Sequence, residues 1–189
     1  MTTLILLFHP DFARSEANRA LAEAAARLPG VAIHDMGALY PDPRSIDVDA
    51  EAERLFSADR LVLQFPVQWY SSPPLLKAWQ DAVLTRMYYI RAEEEGERLR
   101  GLPVMVAATA GNQPEAYQPD GINLYPLEEL LRPLRSTANR CFWTWTDPFL
   151  IYRSNRLDET ERADAGRRYA ARIEEWGASV PGLKSPERP

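Results

Sequence analysis

The sequence predicts an α/β protein in which five parallel strands form one sheet with helices on both faces. Short apolar runs alternate with segments of helical periodicity along the 189 residues. The apolar runs lack the alternating polar positions of a half-exposed strand, so they fit strands that are buried on both faces, as in a parallel sheet. Right-handed crossovers leave few topologies for such a chain, and we predict the strand order 2-1-3-4-5.

The predicted strands are short apolar runs that end at proline, polar or small residues. They cover 3–8, 31–35, 60–65, 102–109 and 140–145. Helical spacing of apolar residues predicts helices between and after these strands. The helices cover 15–28, 49–57, 73–88, 124–138 and 158–176. We expect Pro133 to kink the fourth helix, and Asp158 or Thr160 to cap the fifth.

The predicted elements form one domain over residues 1–176, without an internal repeat or a linker. Residues 177–189 contain three prolines and no apolar pattern, so we predict a flexible carboxy-terminal tail there. The chain has 16 prolines in all. Those beside the ends of predicted strands would fix φ in the loops rather than mark linkers.

The composition narrows the function classes. There are 27 acidic and 22 basic residues, a net charge of -5, which argues against general nucleic-acid binding. One cysteine and two histidines support neither a disulfide framework nor a Cys/His metal site, so no metal is expected. No apolar run reaches the ~20 residues that span a bilayer, and no signal-peptide pattern is evident. We therefore expect a cytoplasmic protein.

Ligands of open α/β sheets bind at the carboxyl ends of the strands, so the loops after strands one, three and four form the candidate site. The first loop leads into a helix start, where free backbone amides favour an anion. His9 and Arg14 would add positive charge there. Ser15 and Asn18 would add hydrogen-bond donors. Taken alone, this loop has a simpler interpretation, in which Ser15 only caps the helix.

The other two loops contain aromatic and small residues. After strand three, Trp69 and Tyr70 could cover a planar ligand or simply pack on the next helix. After strand four, the pair Ala110-Gly111 would let a ligand approach the backbone closely, and Tyr117 adds a hydroxyl. Taken alone, this last loop could equally be an ordinary turn, which has a similar composition.

Together, the three loops resemble those of the NAD(P)H:quinone oxidoreductase family of flavodoxin-like flavoproteins. The resemblance rests on F-H-P-x(4)-S-x-x-N at 8–18, F-P-V-Q-W-Y-S-S-P-P-L-L-K-A-W at 65–79, T-A-G at 109–111 and the spacing of Tyr117 and Gly121. It extends over residues 3–176, and the block at 65–79 is its most specific part. Small bacterial members are the most similar, including the ancillary subunits of glutathione-gated potassium-efflux systems.

The resemblance implies a flavodoxin-like three-layer fold with a flavin site, holding FMN or, as the alternative, FAD. The residues that it places at the flavin are His9, Arg14, Ser15 and Asn18 at the phosphate, Pro66, Val67, Gln68, Trp69 and Tyr70 along the ring, and Thr109, Ala110, Gly111 and Tyr117 beyond it. Backbone N–H groups of the 66–70 loop would stabilise negative charge on the reduced ring. Tyr117 would hydrogen-bond that ring.

The resemblance also implies the reaction. NADPH or NADH passes hydride to flavin N5, and a quinone or similar electrophile then takes the electrons from the same site in a ping-pong sequence. Family members are commonly homodimers with this pocket at the subunit interface. The predicted activity is thus NAD(P)H dehydrogenase (quinone). The alternatives are a flavin-binding regulatory subunit of a potassium-efflux transporter and a flavodoxin-type electron carrier, which would accumulate the one-electron-reduced flavin.

Two departures from the family bear on the substrate pocket. Mammalian members have a histidine shortly after the active-site tyrosine, and the matching residue here is Asn123, which with Gly121 would contact the substrate. The family's glycine-rich segment is replaced by residues 87–98. Either Tyr88 or Tyr89 lines the quinone pocket, or the charged residues of this segment form a solvated connector. Cys141, predicted to lie in strand five, is expected to be an inert core thiol.

Overall fold

The computed structural model describes residues 1–183 and has the predicted architecture. Five parallel strands form one sheet in the order β2-β1-β3-β4-β5. The strands are β1 (Thr3–Leu7), β2 (Val31–Asp35), β3 (Arg60–Pro66), β4 (Pro103–Thr109) and β5 (Thr144–Ile151). β1, β3 and β4 are almost wholly buried because helices cover both faces of the sheet. The predicted fold class and strand order are confirmed.

Two layers of helices enclose the sheet. The α-helices of the described residues are α1 (Ala17–Ala25), α2 (Met36–Leu39), α3 (Val48–Ser57), α4 (Pro74–Trp79), α5 (Leu127–Leu130), α6 (Arg132–Arg140) and α7 (Glu159–Ser179). α1 and α7 cover one face, where Leu21 and Tyr169 cluster with Val62 of the sheet. α3, α4 and α6 cover the other face, around Leu55 and Trp79. Within residues 1–183, no helix combines the length and the apolar character that a membrane span requires.

The helix that begins as α4 extends well beyond Trp79. It continues in wide π-helical turns over Gln80–Leu84, Arg86–Ile90 and Ala92–Gly96, and a 3-10 turn follows at Glu97–Leu99. The charged segment is therefore helical, and most of its residues are exposed, as the solvated-connector alternative expects. Glu95 is buried within it and accepts a hydrogen bond from Arg86 at 2.8 Å.

Strand five begins later than the sequence predicted. α6 continues through Arg140, and a turn precedes the first residue of β5, Thr144. β5 then runs through Pro148, which lacks an N–H but is tolerated because β5 is an edge strand. Its register against β4 shifts between Met105 and Ala107, as in a β-bulge.

Cys141 therefore lies just after a helix rather than in a strand. It follows the last residue of α6, and it is buried against the core that α3, α4 and α6 form on the sheet. Burial raises the pKa of its thiol to about 12, and nearby Arg140 offsets this only in part. A thiol in this state reacts slowly at neutral pH.

The helix predicted over 124–138 is interrupted. It forms two helices, α5 and α6, which meet at Leu131. Pro133 occupies the first turn of α6 and has no N–H with which to continue the hydrogen bonds of α5. Pro133 therefore accompanies a break between two helices rather than the kink that we expected within one helix.

α7 begins as predicted and ends later than predicted. At its start, the Asp158 carboxylate accepts from the Glu161 amide, and the Glu161 side chain accepts from the Asp158 amide. The helix continues to Ser179, and the Leu183 amide donates to the Asp59 carbonyl at 2.9 Å. Residues 177–179 thus extend the predicted helix, and Leu183 contacts the residue before β3. The remainder of the predicted tail, 184–189, lies outside the described residues.

α1 and α7 pack closely against each other at Gly166. A Cβ at this position would lie 2.8 Å from the carbonyl oxygen of Ala20. We expect Gly166→Ala to lower the free energy of unfolding by about 1–3 kcal/mol, because the backbone of α1 must move to relieve the contact. Urea unfolding measures this loss.

Gly177→Ala, in the same helix, is the matched control. No atom lies within 4 Å of the Cβ it would introduce. Helix propensity alone therefore predicts a gain in stability of up to about 1 kcal/mol. If the Gly166 variant were as stable as this control, the contact between the two helices would not be restrictive.

Candidate functional site

Four loops meet at the carboxyl edge of the sheet. They are the β1 loop (8–16), the β3 loop (67–73), the β4 loop (110–126) and the β5 loop (153–157). The Val67 amide donates to the Thr109 carbonyl at 2.8 Å, which joins the β3 loop to the end of β4. The Ser154 amide donates to the Ala110 carbonyl at 3.0 Å, which joins the β5 and β4 loops. The edge is thus one connected surface.

The β1 loop leads into a helix start that no side chain caps. The residue before α1 is Glu16, and its side chain makes no capping hydrogen bond. Ser15 does not cap the helix either, so the simpler interpretation of this loop does not hold. By contrast, the side chains of Asp47 and Asp158 cap α3 and α7. The first backbone amides of α1 are therefore available to an anion.

His9 and Arg14 contribute differently to this helix start. The Asp11 amide donates to Nδ1 of His9 at 3.0 Å, so Nε2 is the imidazole nitrogen that can donate to a ligand. Partial burial lowers the pKa of His9, against the opposing effects of the Asp11 and Asp35 carboxylates. The imidazole is therefore mainly neutral at pH 7. Arg14 is exposed and lies 3.8 Å from the Asp11 carboxylate, so it provides the positive charge.

A chain of buried hydrogen bonds holds Asn18 in place. Its Nδ2 donates to Oγ1 of Thr109 at 2.9 Å, and its backbone carbonyl accepts from Nε2 of Gln64 at 2.9 Å. The Tyr169 hydroxyl donates to Oε1 of Gln64 at 3.3 Å. Because these four residues are at most 2% exposed, each lost bond would leave a buried polar group unpaired. Oγ1 of Thr109 accepts in this chain, so its hydroxyl proton remains for a ligand.

These groups line a first cleft of about 350 Å³ beside the start of α1. It brings together the four residues predicted for the phosphate with the ends of β3 and β4. Its lining includes His9, Arg14, Ser15, Asn18, Pro66 and Thr109, together with Asp11, Ser154 and Asn155. Their roles in binding stay predictions.

The β3 loop turns back on itself at two aromatic residues. The amides of Gln68 and Ser71 each donate to the carbonyl of the other, at 2.9 and 3.0 Å. Trp69 and Tyr70 lie between them with φ of 45° and 63°, the left-handed pair that a two-residue hairpin turn needs. This conformation costs a residue with a side chain roughly 1–2 kcal/mol. The turn holds Trp69 outward, with 93% of it exposed.

The β3 loop has fewer free backbone donors than the sequence suggested. Pro66 has no N–H, and the amides of Val67 and Gln68 are already bonded within the protein. Among the described residues, the amides of Trp69 and Tyr70 have no partner. Stabilisation of negative charge by this loop would therefore depend on these two groups.

Tyr117 and Asn123 lie close together on the β4 loop. Tyr117 is buried, and its burial, followed by the nearby Tyr70, raises its pKa. Its hydroxyl is therefore a proton donor at neutral and moderately alkaline pH. The Tyr70 hydroxyl donates to Oδ1 of Asn123 at 3.3 Å, while the buried Nδ2 of Asn123 has no partner within residues 1–183. A ligand acceptor at this point would satisfy a donor that the protein leaves unpaired.

Aromatic and amide side chains line a second cleft of about 300 Å³. Its lining residues are Val67, Trp69, Tyr70, Gly111, Asn112, Tyr117, Asn123, Asn155 and Arg156. Five predicted residues line neither of these two clefts, three of them on the β3 and β4 loops. Gln68 forms the base of the hairpin turn, and Ala110 is buried against Tyr117. Gly121 permits a tight turn instead, since a Cβ there would lie 2.4 Å from the Glu115 carbonyl oxygen.

Tyr88 and Tyr89 do not lie at the predicted pocket. α4 begins at the carboxyl edge of the sheet, and its continuation carries them to the opposite edge. There, the Trp143 indole donates to the Tyr88 hydroxyl at 2.7 Å, just before β5 begins. Tyr89 is exposed, with the Arg140 guanidinium 4.7 Å from its ring centroid. The prediction that they contact substrate is therefore wrong for the clefts of a single chain.

The β5 loop was not predicted from the sequence to be part of the site. Ser154 and Asn155 line the first cleft, and Asn155 and Arg156 line the second. The misplaced fifth strand hid this loop, since a strand ending at 145 leaves residues 146–157 as a long connection. The polar triplet 154–156, directly before the capping box of α7, was the available signal.

A parallel sheet in this order, with a cleft at an uncapped helix start beside an aromatic cleft at its carboxyl edge, is typical of a flavodoxin-type α/β protein. A family profile described as the flavodoxin-like fold matches residues 1–176, so the chain belongs to that family.

Similar proteins carry related names. The chain is 41% identical over 166 residues to the glutathione-regulated potassium-efflux system ancillary protein KefG of Cronobacter sakazakii (88% of this chain, 89% of the relative). It is 37% identical over 173 residues to an uncharacterized NAD(P)H oxidoreductase, YdeQ, of Bacillus subtilis (92% and 86%).

Solved structures agree with these relatives. General stress protein 14 of Treponema denticola, solved with FMN, is 31% identical with a TM-score of 0.80 (93% of this chain, 97% of that one). An NADPH-quinone reductase of P. pentosaceus is 26% identical with a TM-score of 0.77 (95% and 99%). The resemblance to the quinone oxidoreductases is thus confirmed.

The left-handed turn at Trp69 gives a test of local strain. Trp69→Ala and Trp69→Gly both remove the ring, but only glycine adopts φ of 45° without a steric cost. We expect the Gly variant, without ligand, to be more stable than the Ala variant by about 1 kcal/mol in urea unfolding. Both should retain flavin more weakly than the unsubstituted protein. Equal stability of the two variants would argue against strain in this turn.

Proposed function

We propose that the protein is a flavin-dependent NAD(P)H oxidoreductase that binds FMN and reduces a quinone or a similar electrophile. The observation that carries this proposal is the contiguity of the two clefts, one with the uncapped start of α1 and the other with exposed aromatic rings. A phosphorylated planar cofactor needs both kinds of surface. FMN rather than FAD is favoured by the Treponema relative, which was solved with FMN.

The residues present fit this cofactor. The unpaired Nδ2 of Asn123 and the free hydroxyl proton of Thr109 are donors that await an acceptor. At the start of α1, His9 and Arg14 would offer the phosphate a neutral donor and a cation. Trp69 would cover the ring, because the hairpin turn holds it outward at the rim of the second cleft.

The chemistry would come from the bound flavin, which accepts hydride from NAD(P)H and passes electrons to the acceptor. The protein supplies orientation and hydrogen bonds. Tyr117 is protonated at working pH, since its pKa is raised, so it can donate where negative charge develops. Asn123, held by Tyr70, can donate to a carbonyl oxygen of the acceptor through its Nδ2.

The visible spectrum of the purified protein, reconstituted with FMN, tests the function. We expect flavin absorption that NADPH or NADH bleaches in the absence of oxygen and that a quinone restores. FAD is titrated in parallel. A protein that binds neither flavin would overturn the proposal, and accumulation of the one-electron-reduced flavin with slow quinone turnover would favour an electron carrier.

We also infer a homodimer with the second cleft at its interface. Large apolar side chains lie exposed at the same edge of the sheet, namely Trp69, Ile122, Leu124 and Tyr125. Such a patch marks an interaction surface. We expect Ile122→Asp to shift sedimentation from dimer to monomer, because it places a charge in the patch.

Ile90→Asp is the control for this variant. Ile90 is also exposed, at 73% against 82% for Ile122, but it lies toward the opposite edge of the sheet. The control should remain dimeric. A monomeric unsubstituted protein, or a dimer that the Ile122 substitution leaves intact, would contradict this interface.

A second candidate function is that of an ancillary protein that binds a potassium-efflux transporter, which is favoured by the 41% identity to KefG. It would use the same cofactor site and add a membrane partner. Co-purification with a potassium-efflux transporter of the same organism would support it. Flavin-dependent turnover of the isolated protein, with no association to that transporter, would favour an independent cytoplasmic enzyme.

Tyr117→Phe tests the proposed donor. We expect kcat to fall roughly tenfold to a hundredfold with flavin content unchanged, because one hydrogen bond to developing charge is lost. Since the pKa of Tyr117 is raised, its donor form is retained up to pH 10, and the rate of the unsubstituted enzyme should show no tyrosine ionisation below that pH.

Tyr152→Phe is the matched control for that variant. The two rings are in contact, with centroids 5.6 Å apart, but Tyr152 lines neither of the two clefts. Its substitution should leave kcat unchanged. An equal fall in both variants would indicate a packing effect rather than donation by Tyr117.

A further inference from the structure

Within residues 1–183, Asn155 is the one residue that lines both clefts. Its side chain lies over Gly111, with Oδ1 3.6 Å and Nδ2 3.8 Å from the point where a Cβ of residue 111 would be. Gly111 belongs to the second cleft, whereas Ser15 and Asn18 belong to the first. The amide of Asn155 therefore stands at the junction between the anion-binding end and the aromatic end of the site.

The backbone around Asn155 is fixed on both sides. Before it, the Arg153 amide donates to the Asn112 carbonyl at 3.0 Å, in addition to the bond between the β5 and β4 loops described above. After it, Nη1 of Arg162 donates to the Leu157 carbonyl at 2.6 Å and to the Glu16 carboxylate at 2.9 Å. The last contact ties the end of the β5 loop to the start of α1. The position of Asn155 is thus set before a ligand arrives.

The side chain of Asn155 is nevertheless unused. It is exposed, and it makes no hydrogen bond to another described residue. A primary amide offers two donors and one carbonyl acceptor. Hydroxyl groups match this set because each can both donate and accept. In a flavin, the hydroxyls belong to the ribityl chain that joins the phosphate to the ring.

We propose that Asn155 binds the ribityl hydroxyls of the cofactor at the junction of the two clefts. This inference rests on the proposed function, since it assigns a role within the same site. It makes the β5 loop a fourth cofactor-binding loop. We therefore expect Asn155 to contribute to the affinity for flavins that contain the ribityl chain, whether or not they contain the phosphate, and not to the affinity for the ring alone.

The test compares Asn155→Ala with the unsubstituted protein for three ligands. FMN contains phosphate, ribityl chain and ring; riboflavin lacks the phosphate; lumiflavin lacks both phosphate and ribityl chain. Quenching of flavin fluorescence gives each dissociation constant. We expect the constants for FMN and riboflavin to rise about threefold to tenfold, as for the loss of one or two hydrogen bonds, and that for lumiflavin to stay unchanged.

Asn139→Ala is the matched control, because Asn139 is an exposed amide on α6 that lines neither of the two clefts. It should leave all three constants unchanged, and thermal unfolding without flavin should be the same for both variants. An unchanged FMN constant in Asn155→Ala would overturn the proposal. A loss of affinity for FMN alone would also overturn it, because that result indicates a phosphate contact. An equal loss of affinity for lumiflavin would overturn it as well. If the unsubstituted protein binds no flavin, the proposed function fails first, and this inference with it.

Discussion

Thr109 joins the parts of the candidate site. Its side-chain oxygen accepts from Asn18 at the start of α1, and its backbone carbonyl accepts from Val67 at the start of the β3 loop. One residue at the end of β4 thus sets the distance between the helix start and the aromatic turn. The bond from Asn18 is buried, so breaking it would cost about 1–3 kcal/mol in unpaired polar groups. The geometry of the site is therefore coupled to the stability of the fold.

This coupling explains how a strained turn persists at Trp69 and Tyr70. Two left-handed residues with large side chains would relax in a free loop. Here the bond from Val67 to Thr109 fixes the loop at one end, and the first turn of α4, with Pro74, fixes it at the other. Strained backbone is retained where the surrounding structure determines it, and such positions often have functional roles. The result is a rigid aromatic rim beside the helix start.

The sequence was sufficient for the fold because its signals are local and repeated. Nearly unbroken apolar runs such as 3–8 favour strands that are buried on both faces, and their alternation with helical segments predicts the sheet. It was also sufficient for the positions of Ser15, Asn18 and Tyr117 at one edge, because parallel strands bring their carboxyl ends together.

The sequence was insufficient where distant contacts override local pattern. The predicted fifth strand ended at 145, but β5 continues through Pro148, which an edge strand with a register shift tolerates. Tyr88 and Tyr89 lie at the end of the predicted helix 73–88. The local pattern did not define how far this helix extends, and therefore not which edge of the sheet it reaches. The hydrogen bonds that occupy the amides of Val67 and Gln68 also depend on partners that only the folded chain reveals.

The small residues after β4 gain a second physical role from the β5 loop. Strands in a sheet lie ~4.8 Å apart, so the end of β5, three strands away from β1, is ~14 Å from the β1 loop. To reach the first cleft, the β5 loop must cross the end of β4. It does so over Gly111, where Asn155 occupies the space that a longer side chain would need. A small residue at this position therefore allows the β5 loop to pack on the β4 loop, in addition to allowing a ligand to approach closely. The same crossing makes the loop after an edge strand part of a site that topology alone would assign to β1, β3 and β4.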